Sequence, residues 1–542
     1  MKPLATSWRR RAKARANLLT PRRRVTIRPV DPRGETSRLA AKRTADLPVS
    51  NLSKSIGATM QQDTQLSQPS AGAKSRREFL KLGGKLTAGA ALAGVAMPHV
   101  HAAEDNTIRL ALIGTGGRGS GAVINAFESP NGPCKLVAMA DIFPERLEGS
   151  HKALSQQHAD KVDVPPERRF LGFDGYKKAI DCLRPGTDIA LLTTYPAFRP
   201  VHLDYAVSKG VNVFMEKSFA VDPVGVRRVV KAGETAKQKN LKIAAGLMCR
   251  HSVNRQELIK RIRDGELGPI HLIRAYRMEP CGGMSPRRPP DMKELIWQIR
   301  NRTHILWVSG GLWAEMDIHQ IDEICWLKDD HYPVTAHGIC GRAANSKDAG
   351  QGLDSFSVEY TFADGAKAYD VVRYLPNCYT EFATFVHGTQ RAAQFSGTVH
   401  AGTCHIYRDQ RCAPVKVSAK YNRQTGQYDY SQEALKNRDD IIWQAPKETY
   451  TCWQAEWNVL LNSIRKDLPQ NEAQRAAYSN LTGLMGRAAM HMGRVITWDE
   501  MLKSNFELCP NIDTMTEDSP PPVLPDANGI YPAPIPGQWV EV

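Results

Sequence analysis

Three glycines and one aspartate carry the first chemical signal. Gly114, Gly116 and Gly119 lie in the run Gly114-Thr115-Gly116-Gly117-Arg118-Gly119, and Asp141 follows 22 residues after the last of them. In this spacing the first glycine permits a tight turn. The second lets backbone N–H groups approach a pyrophosphate, and the third lets a helix pack close to a sheet. The helix that starts here adds unpaired N–H donors and the positive end of its dipole. A carboxylate at Asp141 would accept hydrogen bonds from a ribose 2′-OH and repel a 2′-phosphate, which favours NAD over NADP. Arg118 keeps NADP open, because a guanidinium can pair with that phosphate.

A glycine turn alone fits many α/β proteins, so the flanking elements decide. Residues 108 to 113 are apolar and dense enough for a strand buried on both faces, 120 to 127 read as a helix, and 136 to 140 as a second strand ending on Asp141. The alternation continues through a helix from 145 to 158, a strand from 189 to 193, a helix from 201 to 209, a strand from 211 to 215, a helix from Pro223 toward Asn240 and a strand from 241 to 245. This order predicts a doubly wound parallel sheet, whose ligands sit beyond the carboxyl ends of the strands. Gly114, Asp141, Thr194, Pro196, Glu216 and Lys217 all fall there. The pair Glu216-Lys217 is either a solvated surface pair or, at this place, a lysine that stabilises charge during hydride transfer.

Beyond Gly246 the strands alternate in polarity (270 to 278, 355 to 362, 366 to 373, 383 to 387) and turn signals separate them, predicting a second, α+β domain with a large, mostly antiparallel open sheet. Helices are expected at 253 to 264, 312 to 327, 452 to 466 and 473 to 492, with a proline-rich extended tail over 501–542. Glu315 and His319 lie four apart on the expected helix and so share one face; Ser309-Gly310-Gly311 introduces them and Asp322 follows. Arg250, His251, Trp307 and Trp313 have the types and positions to line a sugar pocket, and each fits a core or surface position equally well.

The glycine loop, Thr194-Tyr195-Pro196 with His202, Glu216-Lys217, and the block from Gly310-Gly311 through Glu315, His319 and Asp322 together resemble the Gfo/Idh/MocA family, named for glucose–fructose oxidoreductase and inositol dehydrogenase. The resemblance implies an NAD(P)-binding Rossmann domain over 103–246, a substrate and oligomerisation domain over 247–500, and hydride chemistry on sugars, cyclitols or related polyols. It also implies a homo-oligomer. Carried over, Lys217 orients substrate, His319 takes the hydroxyl proton, and Glu315 assists. Thr115, Gly117, Arg118, Thr194, Pro196, His202 and Glu216 join the cofactor set, with Arg250 and Asp322 near the substrate. Three departures stand out: Ser218 replaces the motif proline and loosens the turn, Glu315 is a methylene longer than the family aspartate, and Asp317 stands where glycine is common.

Residues 1–59 hold 15 Lys and Arg against three Asp and Glu, with no periodic apolar pattern, and read as a disordered basic segment upstream of a start at Met60. Over 60–102, Ser75-Arg76-Arg77-Glu78-Phe79-Leu80-Lys81 precedes an Ala/Gly-rich apolar run too short for a membrane span and a small-residue cleavage site. That is a twin-arginine export signal, which predicts a partner in the export machinery and a periplasmic location. The formal charge of +16 resides almost wholly in these leading segments, so it gives no reason to expect a nucleic-acid partner. The 11 cysteines contain no C-x-x-C, and no metal site is expected. The periplasm has no free NAD(H) pool, so the main expectation is an oxidoreductase that arrives with its cofactor tightly bound. An NAD-dependent glycosidase working by transient oxidation, and a carbohydrate-binding protein without turnover, are the alternatives.

Overall fold

The computed structural model describes residues 106–280, 283–344, 346–397, 400–413, 419–422, 427–430, 435 and 438–542. The basic segment 1–59 and the export signal expected at 60–102 lie outside the described residues.

The first layer is a six-stranded parallel sheet: β1 (Ile108–Ile113), β2 (Cys134–Asp141), β3 (Arg169–Leu171), β4 (Ile189–Leu192), β5 (Asn212–Met215) and β6 (Ile243–Ala245), in the order β3-β2-β1-β4-β5-β6. Helices α1 (Gly117–Phe127), α2 (Pro144–Gln157), α3 (Gly175–Ile180), α4 (Arg199–Ser208) and α5 (Pro223–Gln238) connect the strands. Apolar runs such as Leu110 to Ile113 and Ile189 to Leu192 are almost fully buried, as a sheet covered on both faces requires. Asp222 caps α5 as its sequence suggests, its Oδ1 accepting from the Gly225 N–H at 2.8 Å. The strand order reverses between β1 and β4, and ligands of such sheets sit at that crevice.

The second layer starts with α6 (Val253–Arg263) and β7 (Ile270–Met278), followed by α7 (Glu294–Arg300), α8 (Leu306–Ser309), α9 (Gly311–Met316) and α10 (Ile318–Leu327). Then come β8 (Thr335–Gly341), β9 (Ser355–Thr361), β10 (Lys367–Arg373), β11 (Glu381–Gly388), β12 (Ala392–Ser396), β13 (His405–Tyr407), the ribbon β14 (Ala419–Asn422) and β15 (Gln427–Tyr430), and β16 (Ile441–Gln444). With the short β17 (Ile496–Thr497) they give a nine-stranded sheet, β16-β13-β12-β11-β7-β10-β9-β8-β17. Only the β7–β10 pair in it is parallel, so the sheet is mixed and mostly antiparallel as expected.

One expectation fails here. The single helix over 312–327 is two, α9 and α10, separated at Asp317, so the four-residue spacing of Glu315 and His319 crosses a break.

The chain returns to the first layer near its end. In α11 (Cys452–Arg465), Trp457, Leu460 and Leu461 enter the core beneath β1 and β2, and Trp457 stacks on Phe214 at 4.5 Å. Helix α12 (Ala473–Met492) packs between α5 and the second sheet, and α13 (Trp498–Lys503) follows. Residues 504–542 run over the surface yet bury Cys509, Met515, Tyr531 and Glu541, so the tail is an anchored strap.

Candidate functional site

A cavity of about 610 Å³ opens at the strand-order reversal. Its walls include Gly114 through Gly119, Asp141, Thr194, Pro196, His202, Glu216, Lys217, Arg302 and Glu315. Gly114 has φ +92°, and a Cβ there would stand 2.7 Å from the Thr193–Thr194 backbone. At Gly119 a Cβ would lie 2.5 Å from the Gly114 carbonyl. Gly116, at the N-cap of α1, has open space where its Cβ would be. Two glycines are thus demanded by close packing. The third leaves the helix N-terminus uncovered, which is the cradle a pyrophosphate needs.

Asp141 ends β2 beside that cradle. Its Oδ2 accepts from the Thr115 N–H and hydroxyl at 2.7 and 2.8 Å, and its Oδ1 from the Phe143 N–H at 3.0 Å. The loop therefore holds the carboxylate in place, with lone pairs left for a ribose. Arg118 reaches the other way. Its Nε donates to Glu216 at the end of β5 at 2.6 Å, two strands to the far side of β1 from Asp141. In this pairing the Arg118 guanidinium is directed to Glu216 and not toward Asp141. Thr194 Oγ1 lies 3.1 Å from His202 Nδ1, and Tyr176 stacks on that imidazole at 4.1 Å. Burial, with Arg199 second, lowers His202 to about 3, so it sits in the wall as a neutral ring. Phe143, Phe173 and Phe198 complete an aromatic section. Arg146 lies over Phe143 at 4.3 Å and donates to the Tyr195 hydroxyl at 2.6 Å.

The reactive end is built where the two layers meet. Lys217 Nζ donates to the Glu315 carbonyl at 2.5 Å, and Ser218 Oγ donates to the neighbouring Ala314 carbonyl at 2.6 Å. Ser218 is fully buried; rather than loosening the turn, its hydroxyl ties the exit of β5 to the end of α9. Burial lowers the Lys217 ammonium from its ordinary 10.5, against the pull of Glu315. Glu315 Oε1 accepts from Arg302 Nε at 3.0 Å, while its Oε2 is buried without a partner. Nothing in the periodicity around Arg300-Asn301-Arg302 marks Arg302, yet it joins this wall and lies over Tyr195 at 5.0 Å.

His319 lies one step behind the wall, 6% exposed, its Nδ1 buried and unpartnered and its ring edge-on to His400 at 4.5 Å. Burial, then the charges of Lys217 and Arg277, push its imidazole well below 6.5. It is a neutral base held beside a lysine.

Other candidates go elsewhere. Arg250 and Asp322 do not reach the cavity: Arg250 Nε and Nη2 donate to Asp322 at 2.9 and 2.8 Å and its Nη atoms to Asp330, so the two residues satisfy each other. His251 is within 3.3 Å of Glu472. Trp307 and Trp313 are core side chains, their indole N–H groups donating to Gln298 and to the Gly483 carbonyl. Asp317 adds no carboxylate to the cavity. It is fully buried against Asp370 of β10; burial and this neighbour raise it well above the usual range, and Asp370 rises to about 6, so the two share a proton.

No protein-family model matches the chain. Over 236 residues it is 25% identical to the inositol 2-dehydrogenase of Acidiphilium cryptum, a match covering 44% of this chain and 58% of that protein. The chain thus spans less than two thirds of the length of that relative. Among solved structures, the aldose-aldose oxidoreductase of Caulobacter crescentus complexed with glycerol superposes with a TM-score of 0.51 at 18% identity, over 72% of this chain and 99% of that one. The scyllo-inositol dehydrogenase of Lactobacillus casei with bound NAD(H) and scyllo-inositol gives 0.50 at 19%, with the same coverage. The chain is similar in sequence to inositol dehydrogenases and shares the two-layer fold of these solved structures.

Proposed function

We propose that this chain is an NAD-dependent oxidoreductase acting on a CH–OH group of a cyclitol or sugar. One observation carries the reading: a single cavity runs from the glycine cradle and Asp141 to Lys217, Arg302 and Glu315. The open space at Gly116, the loop-held Asp141 and the unpartnered Glu315 Oε2 fit a nicotinamide dinucleotide followed by a polar substrate. When bound, that cofactor supplies the hydride acceptor. The sequence relative is an inositol 2-dehydrogenase, which supports a cyclitol.

The chain's own groups supply the rest. Lys217, pinned to the Glu315 carbonyl, presents charge to the substrate oxygen and stabilises it as an alkoxide forms. His319, neutral through burial, accepts the hydroxyl proton on its ring nitrogen. Arg302 fixes the Glu315 carboxylate so that its second oxygen is free for a substrate hydroxyl.

We further propose export through the twin-arginine route, a periplasmic location, and a cofactor carried through export. Self-association through the second sheet is part of the same reading, and Ile339 and Tyr369, both exposed on its strands, support it. The test begins with protein folded in the cytoplasm, denatured and assayed for NAD(H) and NADP(H) by mass spectrometry, followed by polyol oxidation. Near-stoichiometric NAD(H) and reduction by a cyclitol are expected. An empty protein, or release of an aglycone with no net redox change, would overturn the reading.

A further inference from the structure

Asp317 is the joint between α9 and α10. Its N–H closes the first helix on the Trp313 carbonyl at 3.0 Å. Its carbonyl opens the second, accepting from Gln320 and Ile321 at 3.0 and 3.2 Å. An aspartate at a helix start ordinarily turns its carboxylate onto the free N–H groups of the first turn. This one makes no such cap. Its side chain is fully buried with that of Asp370 on β10. Among the described residues no other group donates to any of the four carboxyl oxygens. Two buried carboxyls so placed satisfy each other only when one keeps its proton and donates it.

The reactive end hangs on this joint. The last three carbonyls of α9, left over at a helix end, are each taken by a side chain from elsewhere. Ala314 accepts from Ser218, Glu315 from Lys217 and Met316 from Arg277. Ser218 and Lys217 come from the exit of β5, and Arg277 comes from β7. In the β7–β10 pairing Ala275 is opposite Asp370 and Arg277 opposite Val372, so Arg277 and Asp370 share one buried face of adjoining strands. Arg277 opposes the charge of the acid pair, Glu323 of α10 adds to it, and Tyr360 of β9 stands near both acids. Glu323 is already paired with Arg255 at 3.1 Å. Glu315 precedes Asp317 by two residues and His319 follows it by two.

We propose that Asp317 and Asp370 are positioning residues: bound to each other, they tie the α9–α10 joint to the second sheet and so set Lys217 and His319 at their working separation. Neither acid belongs to the cavity wall, so both act through the groups they hold. The inference rests on the oxidoreductase reading and adds two residues to its machinery.

The experiment compares NAD-loaded wild type with Asp317→Ala, Asp317→Asn and the double variant Asp317→Ala/Asp370→Ala. Readouts are kcat and KM for myo-inositol, bound NAD by mass spectrometry, and amide hydrogen exchange over residues 314–321, which needs no turnover. Asp317→Ala should lower kcat by roughly tenfold to 100-fold, the scale of a misplacement of about 1 Å. KM and bound NAD should change little, and exchange over the joint should quicken. Asp317→Asn should recover most of both losses, because its amide donates to Asp370 without a shared proton. The double variant strands no buried carboxyl, so it should fold stably and yet stay as slow as Asp317→Ala. A return to wild-type kcat in the double variant would make the pair a matter of stability alone and overturn the proposal. Unchanged kcat and exchange in Asp317→Ala would overturn it too, and both results leave the oxidoreductase reading standing. No polyol oxidation by the NAD-loaded wild type would refute that reading. Exchange that still quickens in Asp317→Ala and slows again in Asp317→Asn would then keep the tie of the joint; unchanged exchange would overturn both.

Discussion

Lys217 and Glu315, 98 residues apart, are joined by a hydrogen bond from the ammonium of the first to the main-chain carbonyl of the second. The bond crosses the joint between the two layers, so the geometry of the reactive end depends on both. Lys217→Ala should reduce turnover by at least ~100-fold, the scale of a lost acid–base group. Lys217→Arg should not restore it, because a guanidinium neither fits a point contact nor gives up its proton. Steady-state kinetics beside a mass-spectrometric count of bound NAD would check this; normal turnover in either variant sinks the assignment.

The pH profile of polyol oxidation follows from two shifted groups. His319 is pushed down from 6.5, so it stays a competent base below that value and the acid limb should lie under pH 6.5. Lys217 is lowered from 10.5, so its charge is lost earlier and the alkaline limb should lie below pH 10.5. His319→Ala should remove the acid limb along with most of the rate. An unshifted acid limb in the wild type would contradict the burial argument.

Cofactor choice should depend on Asp141 and not on Arg118, because Arg118 is engaged by Glu216. Asp141→Ala is expected to weaken NAD and admit NADP, while Arg118→Ala leaves the ratio of the two affinities unchanged. Calorimetric titration of cofactor-stripped protein with each dinucleotide decides it.

Glu541 is the strongest anchor of the tail. Its carboxylate, fully buried, accepts from Arg487 Nε at 2.8 Å, His491 Nδ1 at 2.6 Å and Trp539 Nε1 at 2.8 Å. Burial alone would raise it, but Arg487 and His491 outweigh that and hold it at about 2. A depressed carboxyl contributes stability that is present above its unfolded value of 4.5 and lost as pH falls from there toward about 2. Glu541→Gln should destabilise the fold by about 3–5 kcal/mol, the range for breaking a buried pair, and flatten the acid part of the stability profile. Denaturant melts between neutral pH and pH 3 would test both.

Local chemistry was readable and distant pairing was not. The glycine cradle and Asp141 are set by spacing within one βαβ unit, so the linear pattern contains their whole geometry. Lys217 was readable because the strands of a parallel sheet end on one side, and β1, β2, β4 and β5 bring the residues at or just past their carboxyl ends to the cavity. Arg250 and Asp322 looked like ligands for the same reason they pair: opposite charges 72 residues apart, with nothing in the order of residues to say that each is the other's partner. Trp307 and Trp313 have the rings a sugar pocket uses, but their N–H groups are satisfied inside the core. Arg302 and His400 were invisible because their contacts depend on how separate segments dock.

The strap has a consequence in time. Leu508 donates its N–H to Asp222 at 3.0 Å, Val523 accepts from Gln298 at 2.6 Å, and Tyr531 stacks on Trp297 at 5.2 Å. Through Arg487, Glu541 also reaches the Gly310 carbonyl, in the turn from which the Glu315 helix starts. Everything these residues fasten leaves the ribosome before they do. A nascent chain can complete both sheets before this strap emerges, so the segment bearing Arg302 and Glu315 is fastened later than the sheets it rests on.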